Sequence, residues 1–219
     1  MTKKTTISDF IDLSKFKSII CLDGDIAFEH LKNINLPIIS ADGATNKLVE
    51  QGILPDIVIG DLDSVNKETL KNLKHIRIKD QDHSDYQKAL KYVAENNISP
   101  SMVFGINGGY IDHIMNNISI FSNTDDVFVD HKTVVQSLGF GIHRLNIQKD
   151  TKISIFGMPS CHLTTNGLKW DVTDRTLNFA GFNSPLNRMQ DSNITLHIST
   201  GRALVVIYIY PISDCGLIV

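Results

Sequence analysis

The chain has 219 residues, of which 42% are hydrophobic, and a formal net charge of −3 at pH 7. This length and apolar content suffice for one large domain or for two smaller domains with separate cores. The weak acidic balance argues against a general nucleic-acid binder, which normally carries a basic excess. No apolar run approaches the length that spans a bilayer, and no apolar segment follows the N-terminal lysines, so we expect neither membrane insertion nor a signal peptide.

Three cysteines are scattered along the chain without a metal-binding spacing. Cys21, Cys161 and Cys215 form no CxxC pair and no zinc-like pattern. Isolated cysteines in odd number are typical of free thiols in a reducing compartment, so we predict a cytoplasmic protein with buried free thiols.

The first half of the sequence alternates between apolar runs and helix-like segments. Helices are predicted within residues 43–52, ending near Gly52, after the capping box of Ser84 and Gln87, and from Asp112 onwards. This alternation is typical of a mostly parallel sheet covered by helices. The predicted strands are Ser18–Leu22, Pro37–Ser40, Asp56–Ile59, His75–Lys79, Met102–Phe104 and Val127–Val129.

From about residue 125 the helical patterns stop, and short runs rich in β-branched residues take their place. Repeated short strands separated by turn residues predict an antiparallel sandwich or barrel. We therefore predict an α/β domain over residues 1–130 and an all-β sandwich domain over residues 131–219. The runs are TVVQSL, HRLNIQ, TKISIFG, CHLTT, RTLNFA, NITLHIS and ALVVIYIY.

Aspartates follow several of the predicted strands of the first half. Ligands of open α/β sheets bind beyond the carboxyl ends of the strands, so these acids are candidate site residues. Each of them could instead form a turn or cap a helix, and Asp63 or Ser64 could cap the segment NKETLKNL. The residues are Asp42, Asp61, Asp63, Asp80, Asp82, Asp85 and Asp112.

The stretch IVIGDLDSV places Asp61 and Asp63 one residue apart directly after a strand. Two carboxylates this close in a partly buried site repel each other, and a divalent cation would relieve that repulsion. Carboxylate oxygens suit Mg²⁺, and no His/Cys cluster points to zinc. The pair therefore predicts a Mg²⁺ site.

Glycines beside the acidic strand ends could bring backbone N–H groups close to phosphate, namely Gly43, Gly60, Gly108 and Gly109. The sequence contains no GxxxxGK[ST] and no GxGxxG that opens a helix, so a P-loop and a dinucleotide fingerprint are both excluded. The residues by themselves predict a Mg²⁺-dependent phosphoryl or nucleotidyl transferase.

Four motifs in this order resemble those of the thiamine pyrophosphokinase family. They are SADGATNKLVEQGILPDIVIGDLDSV, DQDHSDYQKAL, GGYIDH and TTNGLKWDVT, and the resemblance runs from about residue 20 to residue 210. It implies an α/β catalytic domain, a β-sandwich domain that helps to bind thiamine, and a homodimer with sites between the subunits. The implied reaction transfers the pyrophosphoryl group of ATP to the hydroxyl of thiamine and releases AMP.

The resemblance also implies roles for individual residues at the matching positions. Asp61, Asp63 and Asp85 would hold Mg²⁺ and the triphosphate, Asp112 matches the acid of the GGRxDH motif, and either Asp85 or Asp112 could accept the hydroxyl proton. These four aspartates are the predicted catalytic residues. The residues implied for ATP are Asp42, Gly43, Asn46, Gly60, Ser64, Gly108, Gly109 and His113. The residues implied for thiamine are Gln81, Asp85, Trp170, Ser184 and Asn187.

Trp170, the only tryptophan, could be a core residue, or it could form an aromatic wall that attracts the thiazolium cation of thiamine. Three positions depart from the family pattern, namely Tyr110, Pro185 and Leu186. Tyr110 stands where the family usually has Arg, and Leu186 replaces a hydroxyl-bearing residue. These departures concern substrate binding more than the acidic strand ends.

Two other functions are compatible with parts of the sequence. One is a related pyrophosphokinase that acts on a hydroxymethylpterin and shares the acidic ATP site. The other is a non-catalytic protein that binds thiamine or a nucleotide. The GLKW stretch of the second half argues against the first alternative, and the intact set of acids argues against the second.

Overall fold

A computed structural model describes residues 6–209 of the chain. The chain forms two compact units, Leu13–His131 and a discontinuous unit of Met1–Asp12 with Lys132–Val219. Cys21 and Cys161 are buried free thiols, whereas Cys215 lies outside the described residues. Among residues 6–209, no helix combines the length and the apolar character that crossing a membrane requires.

The strands of the first unit form a parallel arrangement in the order β6-β5-β1-β2-β3-β4. All four residues of β1 and of β5 are buried. Because side chains of a strand alternate between the two faces, both faces of the sheet centre are covered, as the continuous apolar runs predict. The strands are β1 (Ser18–Cys21), β2 (Ile38–Ala41), β3 (Ile57–Gly60), β4 (His75–Arg77), β5 (Ser101–Phe104) and β6 (Val127–Val129).

Helices follow most of these strands, and local caps fix where they begin. The capping box of Ser84 and Gln87 at the start of the fourth helix is confirmed. The alternative in which Asp63 or Ser64 caps the third helix is excluded, because Asn66 is the N-cap residue and accepts from the Glu68 amide at 3.0 Å. The helices are α1 (Phe28–Leu31), α2 (Ala44–Glu50), α3 (Lys67–Leu70), α4 (Asp85–Glu95) and α5 (Ile111–Phe121).

The second unit contains antiparallel strands. Each of its two long strands includes two of the short runs that the sequence predicts as separate strands. CHLTT continues TKISIFG in β9, and residues 203–208 of the run ALVVIYIY continue NITLHIS in β12. The register of β12 against β9 shifts near Gly201, whose φ is +74°, so the break in the pattern is a bulge and the strand continues. The strands are β7 (Thr133–Leu138), β8 (Gly141–Asn146), β9 (Lys152–Asn166), β10 (Arg175–Asn178), β11 (Ser184–Arg188) and β12 (Asn193–Tyr208).

The two long strands β9 and β12 organise this unit. One end of their pairing adds β7 and β11, and the other end adds β8 and β10. Residues from both ends, such as Ile155, Leu177, Leu196 and Val205, belong to one buried apolar cluster. Burial of this cluster is the main stabilising contribution, at about 25 cal/mol for each Å² removed from water.

Candidate active site

Three carboxylates meet at the carboxyl ends of two neighbouring strands of the first unit. Asp42 follows β2, and Asp61 and Asp63 follow β3, which pairs with β2. Each of them offers one oxygen within 4.8 Å of the others. We call these three residues the acidic group. The parallel register brings them together, because neighbouring strands that end at the same edge deliver their next residues to one place.

The electrostatics of the acidic group are unfavourable as they stand. Burial, the contact with the Asp61 carboxyl and the charges of Asp85 and Asp63 raise the pKa of Asp42 to about 7. The Oδ1 atom of Asp42 is buried and has no hydrogen-bond partner within residues 6–209. Buried polar atoms are nearly always paired in proteins, so this oxygen points to a missing ligand.

Other side chains hold Asp61 and the loop that follows it. Gln81 donates to Asp61 Oδ2 at 3.1 Å, and this bond together with the Asp42 contact lowers the pKa of Asp61. Arg77 donates from Nε to the Asp61 carbonyl at 3.0 Å. Asn46 donates to the Ser64 carbonyl at 2.8 Å, so α2 is tied to the same loop. Gln81 therefore supports the acidic group directly, and Asn46 supports the loop that follows Asp61 and Asp63.

Asp85, the first residue of α4, is half-exposed and has a different partner. Its Oδ1 atom accepts from Lys88 Nζ at 3.0 Å, and the Lys88 side chain is only 6% exposed. A Cβ atom at Gly60 would lie 3.4 Å from this same oxygen and 2.8 Å from the Asp42 Cβ. Asp42 and Asp85 therefore flank Gly60, and no side chain fits between them.

A cleft of about 530 Å³ adjoins the acidic group in the first unit, and Asp42 and Asp85 are part of its wall. Among the described residues that line it, no Lys or Arg is present, so any cation for a bound phosphate would have to come from elsewhere. The lining residues are Leu22, Asp23, Gly24, Ala41, Asp42, Gly43, Ser64, Ser84, Asp85, Tyr86, Gly105, Ile106, Gly108, Gly109, Tyr110, His113, Asn116 and Asn117.

The glycine turn before α5 gives the cleft one of its edges. Gly108 and Gly109 both have φ of +86°, a conformation that glycine adopts without strain. A Cβ atom at Gly108 would lie 2.8 Å from the Asp25 amide nitrogen, so this turn packs against the loop after β1. The Tyr110 side chain is 78% exposed, and its ring meets the His113 ring edge to face at 6.1 Å.

Most of the residues predicted to bind ATP line this cleft, whereas Asn46 and Gly60 lie outside the lining. Asp112, a predicted catalytic residue, is exposed, lies outside the lining, and accepts from the amide of the next residue, His113, at 3.0 Å. Prediction from the sequence missed Asp23 and Asn117, which do line the cleft. Asp23 follows a predicted strand, as the other acids do, and Asn117 lies one helical turn after His113. Both positions could therefore be identified from the sequence. The predicted residues in the lining are Asp42, Gly43, Ser64, Asp85, Gly108, Gly109 and His113.

The three predicted thiamine residues of the second unit form one hydrogen-bonded network around Asn187. Asn187 is 1% exposed, donates to the Trp170 carbonyl at 2.7 Å and to Ser184 Oγ at 2.9 Å, and accepts from the amides of Trp170 and Arg188 at 3.2 and 2.8 Å. We call Trp170, Ser184, Asn187 and Arg188 the Asn187 network. All four bonding positions of the buried amide are filled, so Asn187 supports its neighbours.

Trp170 itself is a surface residue, which excludes the core-packing alternative. Its side chain is 57% exposed, and Lys169 Nζ lies 4.7 Å from the centre of its ring. A cation on this ring face demonstrates that the indole is accessible to positive charge. Leu186, a further departure from the family pattern, is 49% exposed with φ of +50°.

The donor set fits a hard divalent cation. The acidic group offers only carboxylate oxygens, and the unpartnered Oδ1 of Asp42 together with its raised pKa indicates a position where a positive charge would be stabilising. No His or Cys belongs to the group, which argues against zinc. Asp42, Asp61 and Asp63 are therefore the residues that could hold a metal ion.

Comparison with protein families gives two matches in the order of the chain. Residues 28–134 match the model described as "Thiamin pyrophosphokinase, catalytic domain". Residues 142–205 match the model described as "Thiamin pyrophosphokinase, vitamin B1 binding domain". The acidic group lies in the first match and the Asn187 network in the second.

Individual relatives carry the same family name. Thiamin pyrophosphokinase 1 of Caenorhabditis elegans is 25% identical, with 91% of this chain and 93% of the relative aligned. Thiamine pyrophosphokinase 3 of rice is 26% identical over 69% of this chain, which spans 64% of that relative's length. The thiamine pyrophosphokinase of Bacillus subtilis is 27% identical over 77% of this chain and 75% of the relative.

Solved structures share the fold. Thiamine pyrophosphokinase from B. subtilis superposes with a TM-score of 0.76 at 21% identity, over 88% of this chain and 99% of that chain. The structure of yeast thiamin pyrophosphokinase superposes with a TM-score of 0.73 at 15% identity, over 89% of this chain and 86% of that chain. The mixed sheet with helices described above is therefore the fold of these structures.

Proposed function

Since this chain belongs to the thiamin pyrophosphokinase family, we propose that it is an enzyme that makes thiamine diphosphate and AMP from thiamine and ATP. The observation that carries the proposal is the acidic group, with a buried unpartnered oxygen, at the wall of a cleft large enough for a nucleotide. In the reaction, the thiamine hydroxyl oxygen bonds to the β-phosphorus of ATP, the bond to the bridging oxygen breaks, and AMP leaves with that oxygen. The hydroxyl proton passes to a base or to solvent.

The metal of the reaction is proposed to be Mg²⁺, held by Asp42, Asp61 and Asp63. When bound, Mg²⁺ neutralises phosphate charge and fixes the geometry of an in-line transfer. Asp42 is added to the ligands that the motifs imply, and Asp85 remains a candidate ligand, because the hydrogen bond from Lys88 to Oδ1 uses only part of its bonding capacity. Gln81 orients Asp61 through its hydrogen bond, in addition to any contact with thiamine.

The nucleotide is proposed to occupy the cleft of the first unit. Gly43, Gly108 and Gly109 let the backbone approach phosphate, and His113 is the one side chain of the lining that can become cationic among the described residues. Asp85 lines the cleft and is the better candidate for the proton acceptor, because Asp112 lies outside the lining.

Thiamine is proposed to use the second unit, which we describe as the β-sandwich domain. Trp170 offers an exposed indole face, and attraction of the thiazolium to it would contribute about 0.5–2 kcal/mol. Ser184 offers a hydroxyl, while Asn187 fixes both of them from behind. The division into a catalytic domain over residues 1–130 and a thiamine-binding domain over residues 131–219 is part of this proposal.

A homodimer with shared sites is also proposed. Three exposed apolar side chains lie together at the start of α5, namely Tyr110 at 78%, Ile111 at 70% and Met115 at 58%, and Phe140 of the second unit is 79% exposed. Large exposed apolar surfaces are typical of protein contacts. Light scattering after gel filtration tests this, and a monomer at micromolar concentration would contradict it. A cytoplasmic location remains a prediction from the buried free thiols.

One assay distinguishes the proposed activity from its alternatives. The purified protein is incubated with ATP and Mg²⁺ together with thiamine, with 6-hydroxymethylpterin, or with neither, and AMP is quantified. We expect AMP and thiamine diphosphate to form in equal amounts in the reaction that contains thiamine, and no AMP in the other two reactions. AMP release only with the pterin would favour the related pyrophosphokinase, and no release with either substrate would favour a binding protein.

A further inference from the structure

Negative charge dominates the surroundings of the proposed phosphate position. The acidic group contributes three carboxylates, and Asp23 and Asp85 contribute two more to the wall of the cleft. ATP with one bound Mg²⁺ is still an anion, so carboxylates that are not neutralised repel it. A cationic side chain beside the acidic group would offset this repulsion, as arginine and lysine do in other sites of phosphoryl transfer.

Two lysines lie near the cleft, and both are already paired with carboxylates of its wall. Lys88 donates to Asp85 Oδ1 at 3.0 Å. Lys47 donates to the carbonyl oxygens of Asp23 and Gly24 at 2.7 and 2.8 Å, and its Nζ atom lies 3.0 Å from Asp23 Oδ1. An ammonium group has three N–H donors, so these contacts use all the donors of Lys47. Each lysine therefore balances the wall itself.

Arg77, the last residue of β4, is in a different situation. It is exposed and pairs with Gly60 at the carboxyl end of β3. Its Nε atom donates to the carbonyl oxygen of Asp61 at 3.0 Å. In the part of the chain that the structure describes, the two terminal nitrogens of this guanidinium have no hydrogen-bond partner and no carboxylate pairs with it. Four of its five N–H donors are thus available to a ligand.

The hydrogen bond from Nε fixes this positive charge beside the acidic group. The carbonyl that accepts it belongs to Asp61, whose side chain is one of the three carboxylates. A carbonyl oxygen has no formal charge, so the bond orients the guanidinium without neutralising it. The planar fork of an arginine matches two phosphate oxygens at once, which an ammonium group cannot do.

We propose that Arg77 binds the pyrophosphoryl group that is transferred, through the two terminal nitrogens of its guanidinium. A metal ion in phosphoryl transfer bridges oxygens of the β- and γ-phosphates, so these phosphates come closest to the acidic group and to Arg77. The inference rests on the proposed function, since it takes the acidic group as the metal site and ATP as the donor. Because the same two phosphates end in thiamine diphosphate, Arg77 would contact both substrate and product.

Two pairs of ligands separate this contact from other roles of Arg77. ATP and thiamine diphosphate contain the transferred group, whereas AMP and thiamine lack it. Loss of the guanidinium is expected to weaken binding of the first two ligands and to leave binding of the other two unchanged. An arginine that only anchors the loop after β3 would change the affinity for all four ligands or for none.

The test measures binding of each ligand to the full-length protein by isothermal titration calorimetry with Mg²⁺ present. For Arg77→Gln we expect the Kd of ATP and of thiamine diphosphate to rise by about 10- to 100-fold, the effect of losing hydrogen bonds to a charged group. The Kd of AMP and of thiamine should change by less than about twofold. Arg77→Lys should give a smaller increase for the same two ligands, because it keeps the charge and loses the fork.

Lys74→Gln is the matched control. Lys74 is also exposed and lies three residues earlier, about 10 Å along the strand, at the amino end of β4. Its replacement removes the same charge from the same strand, and all four affinities should stay at the wild-type values. Equal losses of ATP affinity at positions 74 and 77 would reduce the inference to a general charge effect and overturn it.

The remaining outcomes also decide the matter. Unchanged ATP binding by a folded Arg77→Gln protein, or equal losses for ATP and AMP, would overturn the phosphate contact. If Arg77→Gln does not fold, Arg77→Lys takes its place. A loss confined to ATP and thiamine diphosphate then supports the contact, and any other result contradicts it.

Failure of this inference can be distinguished from failure of the proposed function. A wild type without thiamine-dependent AMP release, whose ATP affinity still depends on Arg77 while its AMP affinity does not, would contradict the proposed function and leave the phosphate contact standing. An active wild type whose ATP affinity does not depend on Arg77 would have the opposite meaning.

Discussion

The acidic group and the Asn187 network solve opposite problems with polar side chains. In the Asn187 network every bonding position of the buried amide is filled by Trp170, Ser184 or Arg188. In the acidic group a buried oxygen of Asp42 has no partner among residues 6–209, and burial, the contact with Asp61 and nearby like charges raise the pKa of Asp42 to about 7. The first arrangement is complete within one chain, whereas the second becomes favourable only when a cation is added. A polar cluster that the fold leaves incomplete is the better indicator of a ligand.

The largest expected effect is the loss of turnover that follows a substitution in the acidic group. Asp63→Asn removes one charge of the proposed metal site, and since a bound metal supplies several kcal/mol of transition-state stabilisation, kcat falls by roughly 10³-fold. Asp63 is exposed, so the thermal unfolding temperature without metal changes little. Turnover with thiamine and circular dichroism check both statements.

Asp82→Asn is the control for this variant, because Asp82 is also exposed and lies on the loop before α4. It should retain wild-type turnover. Near-wild-type turnover of Asp63→Asn at saturating Mg-ATP would contradict the metal assignment.

The next largest effect is the loss of stability that follows a substitution in the Asn187 network. Asn187→Ala removes four hydrogen bonds of a buried side chain, and at about 1 kcal/mol each the free energy of unfolding should fall by about 4 kcal/mol. Because Trp170 and Ser184 lose their support, KM for thiamine should rise more than KM for Mg-ATP. Urea denaturation and steady-state kinetics below the unfolding range measure these changes.

Asn193→Ala, at the exposed start of β12, is the matched control and should change stability by less than about 0.5 kcal/mol. If Asn187→Ala raised both KM values equally, the network would not be specific to thiamine.

A second buried carboxylate sharpens the comparison, because it lacks a metal-binding neighbourhood. Burial raises the pKa of Asp126 to about 6, although its Oδ1 accepts from the Ser101 amide at 2.7 Å. The folded protein therefore binds a proton here more tightly than the unfolded chain, so stability is lost as pH rises from about 4 to about 6. Relative to Asp126→Asn, the wild type should lose about 3 kcal/mol over that range.

Denaturation at several pH values measures this difference, with exposed Asp191→Asn as the control for one lost charge. Mn²⁺ should not stabilise the protein through Asp126. A constant difference between wild type and Asp126→Asn at all pH values would be evidence against the raised pKa.

The smallest expected effect concerns the exposed side of the Asn187 network. Trp170→Ala should raise KM for thiamine by about 2- to 30-fold, which corresponds to a cation–π contribution of 0.5–2 kcal/mol. Stability should hardly change because the side chain is 57% exposed. The KM for thiamine of Trp170→Phe should lie between the values of the wild type and of Trp170→Ala. An unchanged KM for thiamine in Trp170→Ala would exclude contact between this residue and thiamine.

The helices and parallel strands could be predicted because their signals are local. The Ser84 capping box and the apolar runs of β1 and β5 depend on residues close in sequence. The long strands β9 and β12 were predicted as pairs of short strands, since the interruption near Gly201 is a bulge against Ser160 that only the partner strand reveals. Likewise, the N-cap residue of α3 is Asn66, and the sequence contains two equally suitable residues nearby, Asp63 and Ser64.

For the site, the sequence by itself determined that aspartates follow several strands of one sheet, because the strand ends and the order of the motifs can be read from it. The tertiary structure decided how they are divided. Register between β2 and β3 joined Asp42 to Asp61 and Asp63, and the fold paired Asp85 with the buried Lys88 of α4. Such a division depends on burial and on distances of a few ångströms between separate elements, and residue spacing along the chain carries neither.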